Sequence, residues 1–375
     1  MVIRVLAALS ITFSLGCASS PSVKTDPAFD VIPYKLKAHV DKNQVAGVVT
    51  AVRHHGKLVH LDTVGLADRE NHLEMRPDTM FWIASMTKSI TATCVMILAD
   101  EGKLSLDEPA SKYIPALAKI KLRDGKSPAK PITIRHLLSH TNGLSQPPRK
   151  PTDHNMTLAR YADQIAAGPL EFEPGSKYEY GFGLTIAGRI VEIVSGQPFE
   201  VFMQKRIFDP LGMKDSTFYP TAEQIRRIAK TYKAGKDAAG NLALIPAHNP
   251  FVTNDPTVRN EPEPSGGLFS TATDMSRFYQ MILNGGELEG KRIVSKKSVA
   301  EMTRQQATVT KDRYYGLGWF IYPDGSFGHG GAYATDGLVD PKRDLVTVFM
   351  VQSVLGQTGD TKKTFQEEVS KALGK

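Results

Sequence analysis

Phe81-Trp82-Ile83-Ala84-Ser85-Met86-Thr87-Lys88-Ser89-Ile90 is the stretch on which the fold turns. An aromatic and aliphatic run leads into it, and the helix that Ser85 opens continues apolar to Glu101, where Gly102 ends it. Ser85 and Lys88 stand three apart, on one helical face, with the ammonium in reach of the hydroxyl. A serine at a helix start also keeps its backbone N–H outside the helical ladder, able to point at an oxyanion formed on attack. A hydroxyl is a poor nucleophile until something takes its proton, and a desolvated lysine can do so. Ser-x-x-Lys also occurs as an exposed helix start with a solvated lysine. A buried helix that opens on both residues is unusual.

Outward from this helix the chain divides by periodicity. Before it, Asp26 to Asp41 reads as a helix with Asp26 as its cap, and Gly47 to Arg53 with Leu58 to Gly65 read as a hairpin around His55-Gly56-Lys57. After it come helical segments over Thr133–Ser139, Gly183–Ser195, Phe199–Phe208 (stopped by Pro210) and Thr273–Leu283. Tyr315–Tyr322, Gly325–His329, Ala334–Asp340 and Val346–Ser353 then read as an antiparallel meander, closed by a helix over Thr364–Leu373. Strands at both ends and helices between them predict an α+β fold. One antiparallel sheet is built from residues 26–82 plus 265–375, flanked by helices, with a mostly helical lobe, 83–264, inserted into it. A cleft between the lobes is the expected ligand site.

Two further stretches can serve Ser85. Pro174-Gly175-Ser176-Lys177-Tyr178-Glu179-Tyr180 leads into the Gly183 helix, and a tyrosine there can act as base if an ammonium favours its phenolate. Taken alone, the two tyrosines fit half-buried aromatics with wet hydroxyls as well. Gly328-His329-Gly330-Gly331-Ala332 ends a predicted strand, where glycines admit close backbone approach and the Ala332 N–H can complete an oxyanion hole. His329 can hydrogen-bond a substrate or the tyrosine; alone, the stretch also reads as a plain turn.

In this order, Ser-x-x-Lys, a tyrosine motif and a carboxy-terminal His-Gly-Gly strand resemble the serine β-lactamase and penicillin-binding-protein superfamily. The likeness is to its class C-like branch of β-lactamase-related hydrolases and family VIII carboxylesterases. Leu137-Leu138-Ser139-His140-Thr141-Asn142-Gly143-Leu144, Pro210-Leu211-Gly212-Met213-Lys214-Asp215-Ser216 and Ser265-Gly266-Gly267-Leu268-Phe269-Ser270 extend the resemblance over nearly the whole mature chain. It implies a β-lactamase/transpeptidase-like fold with Ser85 as acylated nucleophile, Lys88 as its activating partner and Tyr180 as general base. The N–H groups of Ser85 and Ala332 form the oxyanion hole, and His329, Gly330 and Gly331 line the substrate. Penicillin-recognising members carry Tyr-x-Asn and a Lys where this chain has Tyr180-Gly181-Phe182 and His329. Both departures are familiar in the esterase branch. The reading is a serine hydrolase on small acyl esters. A β-lactamase or D-alanyl peptidase is the first alternative, and a non-catalytic envelope binding protein the second.

The amino terminus carries an address. Arg4, the apolar run Val5–Leu15 and the small residues Gly16-Cys17-Ala18 read as a secretory signal over residues 1–20. Leu15-Gly16-Cys17 resembles a bacterial lipobox, which would lipidate Cys17 and tether the mature chain to a membrane; cleavage after Ala18 is the other option. Either route exports the protein to the periplasm or cell envelope. Cys94, the one remaining cysteine, reads as core. With 46 Lys and Arg against 39 Asp and Glu, the net charge of +7 is interspersed with acids, which excludes a nucleic-acid footprint. His54-His55 lacks neighbouring ligands at metal spacing, and Gly285-Gly286 lacks the Lys of a phosphate loop. The expected enzyme needs no cofactor or metal and works as a monomer.

Overall fold

The computed structural model describes residues 26–145, 156–251, 262–354 and 358–374. The predicted signal with Cys17 lies outside them.

The predicted hairpin forms the centre of the sheet. β1 (Gly47–His54) and β2 (Lys57–Asp68) pair antiparallel. The two residues joining them, His55 and Gly56, sit at φ 49° and 73°, the left-handed pair that a two-residue turn needs. β3 (Leu73–Glu74) follows at the edge. Six strands come from the other end of the chain: β4 (Ala307–Thr310), β5 (Arg313–Tyr315), β6 (Phe320–Ile321), β7 (Phe327–Gly330), β8 (Asp336–Asp340) and β9 (Leu345–Met350). Their order is β4-β5-β6-β7-β8-β9-β1-β2-β3, so the two ends of the chain meet where β9 pairs with β1.

Alternation along β1 feeds both faces of this sheet. Val48 and Val52 meet Ile32 and Leu36 of α1 (Val31–Asp41) together with Phe365 and Val369 of the closing helix Thr361–Ala372. Val49 and Ala51 face the larger core, shared with α2 (Thr87–Asp100), α3 (Ile134–Leu138), α4 (Gly183–Ser195) and α5 (Ala272–Leu283).

Three expectations change. Asp26 caps a single 3₁₀ turn, Pro27–Phe29, and α1 begins only at Val31, with Pro33 in its first turn, where a missing N–H loses no bond. The segment after Phe199 is α-helical to Met203, then widens into a π turn, Gln204–Phe208. Pro210 lies in the following short turn, Asp209–Leu211, and does not stop the helix. Tyr315–Tyr322 is two strands, not one, because residues 316–319 bend onto α2. Gly318 stands at φ 80°, and a Cβ there would meet the Ala92 Cβ at 2.7 Å and the Lys88 carbonyl at 2.8 Å. Only glycine fits that approach. Sequence periodicity also passed over the helix Leu158–Ala167 and the hairpin of Tyr232–Lys236 with Leu242–Pro246.

Candidate active site

From Thr79 to Leu98 every residue is buried except Ser85, which is partly exposed. The burial explains the helix: apolar residues surround α2 on all sides, and its polar side chains are satisfied internally. Ser89 donates to the Gly318 carbonyl at 2.7 Å, and Thr91 to the Pro264 carbonyl at 2.7 Å. Ser85 itself lies in a 3₁₀ turn, Ala84–Met86, ahead of α2. Ala84 before it takes φ 45°, a left-handed conformation that costs a non-glycine residue about 1–3 kcal/mol and aims the serine outward. The corner is clamped by Ile83 N–H to the Leu268 carbonyl at 2.9 Å and by the Thr87 hydroxyl to the Ala84 carbonyl at 2.6 Å.

Lys88 is 4% exposed and donates to the Ser85 Oγ at 3.1 Å and to the Ser265 carbonyl at 2.6 Å. Behind Ser265 stands a buried polar chain that the sequence did not announce. Its N–H reaches the Glu263 carboxylate at 2.9 Å, and the same oxygen accepts the Thr185 hydroxyl of α4 at 2.6 Å. On its other side the Lys88 ammonium lies 4.7 Å from the centre of the Tyr180 ring. Tyr180 is 38% exposed, whereas Tyr178 is half-buried and its phenol is pushed up by burial and by Tyr180 beside it. The structure therefore brings Ser85, Lys88 and Tyr180 together, and it sets Tyr178 one layer deeper.

Around Tyr180 stand rings. Phe320 of β6 is parallel to it within 8°, centroids 6.3 Å apart, and the exposed Arg313 guanidinium covers Phe320 at 4.8 Å. His140, which follows α3, lies 4.5 Å away, and Tyr315 of β5 and His329 of β7 close the wall. Tyr315 and Phe320 escaped sequence reading; the Gly316-Leu317-Gly318 bend between them was the available signal.

His329 meets a tyrosine hydroxyl, that of Tyr315. A carbonyl only accepts, so its Nδ1 carries the proton donated to the Gly330 carbonyl at 2.8 Å; its Nε2 then accepts the Tyr315 hydroxyl at 3.2 Å. Burial, and then the Lys88 ammonium, push its pKa down to about 3. The ring is 2% exposed and neutral, with both nitrogens engaged by the protein. Gly331 is required by contact: a Cβ would lie 2.5 Å from the Ile83 carbonyl and 2.2 Å from the Thr335 hydroxyl. This approach brings the end of β7 beside the Ser85 corner. Ala332 sits in the exposed turn that follows, not in the strand itself, because β7 ends at Gly330. Neither its N–H nor that of Ser85 has a hydrogen-bond partner among the described residues, as an oxyanion hole requires.

Among the described residues no three His, Cys, Asp or Glu side chains gather as a metal-ligand set. Cys94 is buried in α2, and burial raises its thiol, the opposite of what a nucleophile needs.

The Beta-lactamase family model matches residues 35–371. The chain belongs to the β-lactamase family. It is 32% identical over 294 residues to Esterase EstB of Burkholderia gladioli, covering 72% of each chain. To Penicillin-binding protein 4 of Amycolatopsis lactamdurans it is 30% identical over 343 residues, covering 89% of this chain and 86% of that one. Among solved structures, "EstCE1, a hydrolase with promiscuous acyltransferase activity" superposes with a TM-score of 0.79 at 23% identity, over 91% of this chain and 98% of that one. This β-lactamase-family chain is a serine hydrolase with the family's antiparallel sheet and flanking helices.

Proposed function

We propose that the protein hydrolyses small carboxylic esters through an acyl-enzyme on Ser85. Tyr180, beside the Lys88 ammonium, takes the Ser85 proton as the oxygen attacks the ester carbonyl. The Ser85 and Ala332 N–H groups hold the oxyanion, and the proton passes from Tyr180 to the departing alcohol. Water then enters and gives its proton to Tyr180 as its oxygen attacks the acyl carbonyl, and Tyr180 returns that proton to the departing Ser85 oxygen as the acid leaves. The amino-terminal segment supports export of the mature chain, with Cys17 as a lipid anchor.

The observation that carries the ester reading is the neutral, doubly engaged His329. A β-lactam brings a carboxylate and a side-chain amide, and the Lys and Asn that serve them in penicillin-recognising relatives are here His329 and Phe182. Each lost charge-assisted hydrogen bond costs about 1.5–3 kcal/mol. Two such losses amount to roughly two to four decades in kcat/KM. One observation favours a second reading, hydrolysis of a carboxylate-bearing amide: the exposed Arg313 stands at the rim, over Phe320. p-Nitrophenyl butyrate and nitrocefin assayed side by side separate the two. The ester reading predicts kcat/KM at least a hundredfold higher for the butyrate; faster turnover of nitrocefin would overturn it.

A further inference from the structure

The backbone on either side of Tyr180 is bonded to His140. The His140 carbonyl accepts the Glu179 N–H at 2.8 Å, and the His140 Nδ1 accepts the Gly181 N–H at 3.1 Å, so the chain is held on both sides of Tyr180 by the same side chain and backbone. The His140 ring lies directly against the Tyr180 ring, centroids 4.5 Å apart. His140 is fully buried and stands at φ 57°, a left-handed conformation rare outside glycine, asparagine and aspartate. In that conformation its carbonyl and its ring both face the tyrosine segment.

We infer that His140 is the positioning residue for Tyr180, setting where the phenol stands relative to Lys88 without itself touching substrate. The inference rests on the reading of Tyr180 as base. The surroundings fit an uncharged ring. Lys88 of α2, His329 of β7, Tyr315 of β5 and Tyr178 face it, and burial, then the Lys88 charge, hold the His140 imidazole well below its ordinary pKa. Since the Gly181 N–H only donates, Nδ1 is the acceptor and the proton sits on Nε2. What the position demands is an acceptor two bonds from Cβ on a left-handed backbone, and asparagine supplies both.

The test is a double-mutant cycle with p-nitrophenyl butyrate, with thermal melts as a control for folding. His140→Leu should lower kcat about a hundredfold, the scale of a 1 Å misplacement, with KM within about threefold. His140→Asn should restore at least tenfold of that loss. In a Tyr180→Phe background, His140→Leu should cost less than about threefold more, because the group it positions is gone. If His140→Leu does not fold, His140→Asn and His140→Gln carry the comparison. Asparagine should exceed glutamine by at least tenfold, since the longer side chain misplaces the acceptor. An undiminished loss in the Tyr180→Phe background, or equal Asn and Gln activities, would overturn the positioning role. A fully active Tyr180→Phe would remove the base assignment, and the proposal with it.

Discussion

Lys88 is held by two unlike walls. Towards Ser265 its contact is a directional hydrogen bond, backed by a buried chain through Glu263 and Thr185 of α4. Towards Tyr180 it meets the face of a ring, and the groups behind that ring are His140, Tyr315, Phe320 and the neutral His329. The polar wall fixes where the ammonium is, because a charged N–H to a carbonyl tolerates little change in angle. The rings that line the aromatic wall carry no formal charge, and the Arg313 cation lies outside them over Phe320, so the Lys88 ammonium is the charge in contact with Ser85 and Tyr180. Placement and chemistry are thus divided between two sets of residues.

Removing the ammonium should break both walls at once. Lys88→Met is expected to lower kcat/KM for p-nitrophenyl butyrate by about a thousandfold or more, at the upper range of proton-transfer groups. Less than a tenfold loss would show that neither wall matters through Lys88. The aromatic wall alone is tested by the tyrosine pair. Tyr180→Phe should cost about a hundredfold in kcat and Tyr178→Phe less than threefold, as expected where only one phenol serves as base. The reverse order would move the base one layer deeper.

The polar wall alone is tested by Thr185→Val, which removes the Thr185 hydroxyl bond to Glu263 in a buried site. The expected cost is about 1–3 kcal/mol in urea unfolding, with kcat falling less than in Tyr180→Phe. An unchanged unfolding midpoint would mean that the chain behind Ser265 carries no strain when cut.

A last effect, on stability and not on turnover, bears on the neutrality of His329 in the aromatic wall. His329 is held at about 3 in the folded protein, and an unfolded histidine titrates near 6.5. The unfolded chain therefore binds the proton first, so this contribution is complete above pH 6.5 and is lost as the pH falls towards 3. His60, accepting or donating with Thr50 at 2.8 Å outside the site, is pushed down to about 4 by burial and adds to the same acid slope. His329→Gln should flatten that slope between pH 6.5 and 4.5 by about 1.4 kcal/mol per pH unit. Parallel slopes for wild type and variant would contradict a neutral, buried His329.

The two walls also differ in how far they could be read from sequence. Ser85 and Lys88 are legible because their relation is local, three residues apart across the 3₁₀ turn that leads into α2, and the Gly183–Ser195 helix and the β1–β2 hairpin follow from equally local patterns. Tyr180 needed the resemblance, since its spacing from Ser85 has no physical meaning before the chain folds. Glu263, Tyr315, Phe320 and His140 reach the site only through tertiary packing. His140 read only as part of the Leu137–Leu144 stretch that carries the resemblance, and the bend at Gly316-Leu317-Gly318 read as continuous strand. In each case a glycine or a left-handed residue marked the place, but what approached it came from elsewhere in the chain.

The central claim is that Ser85 forms the covalent intermediate. Intact-protein mass spectrometry after treatment with a fluorophosphonate, followed by peptide mapping, tests it directly. One adduct is expected, on the peptide containing Ser85, with none on Ser85→Ala. An adduct on another residue, or full labelling of Ser85→Ala, would contradict the account.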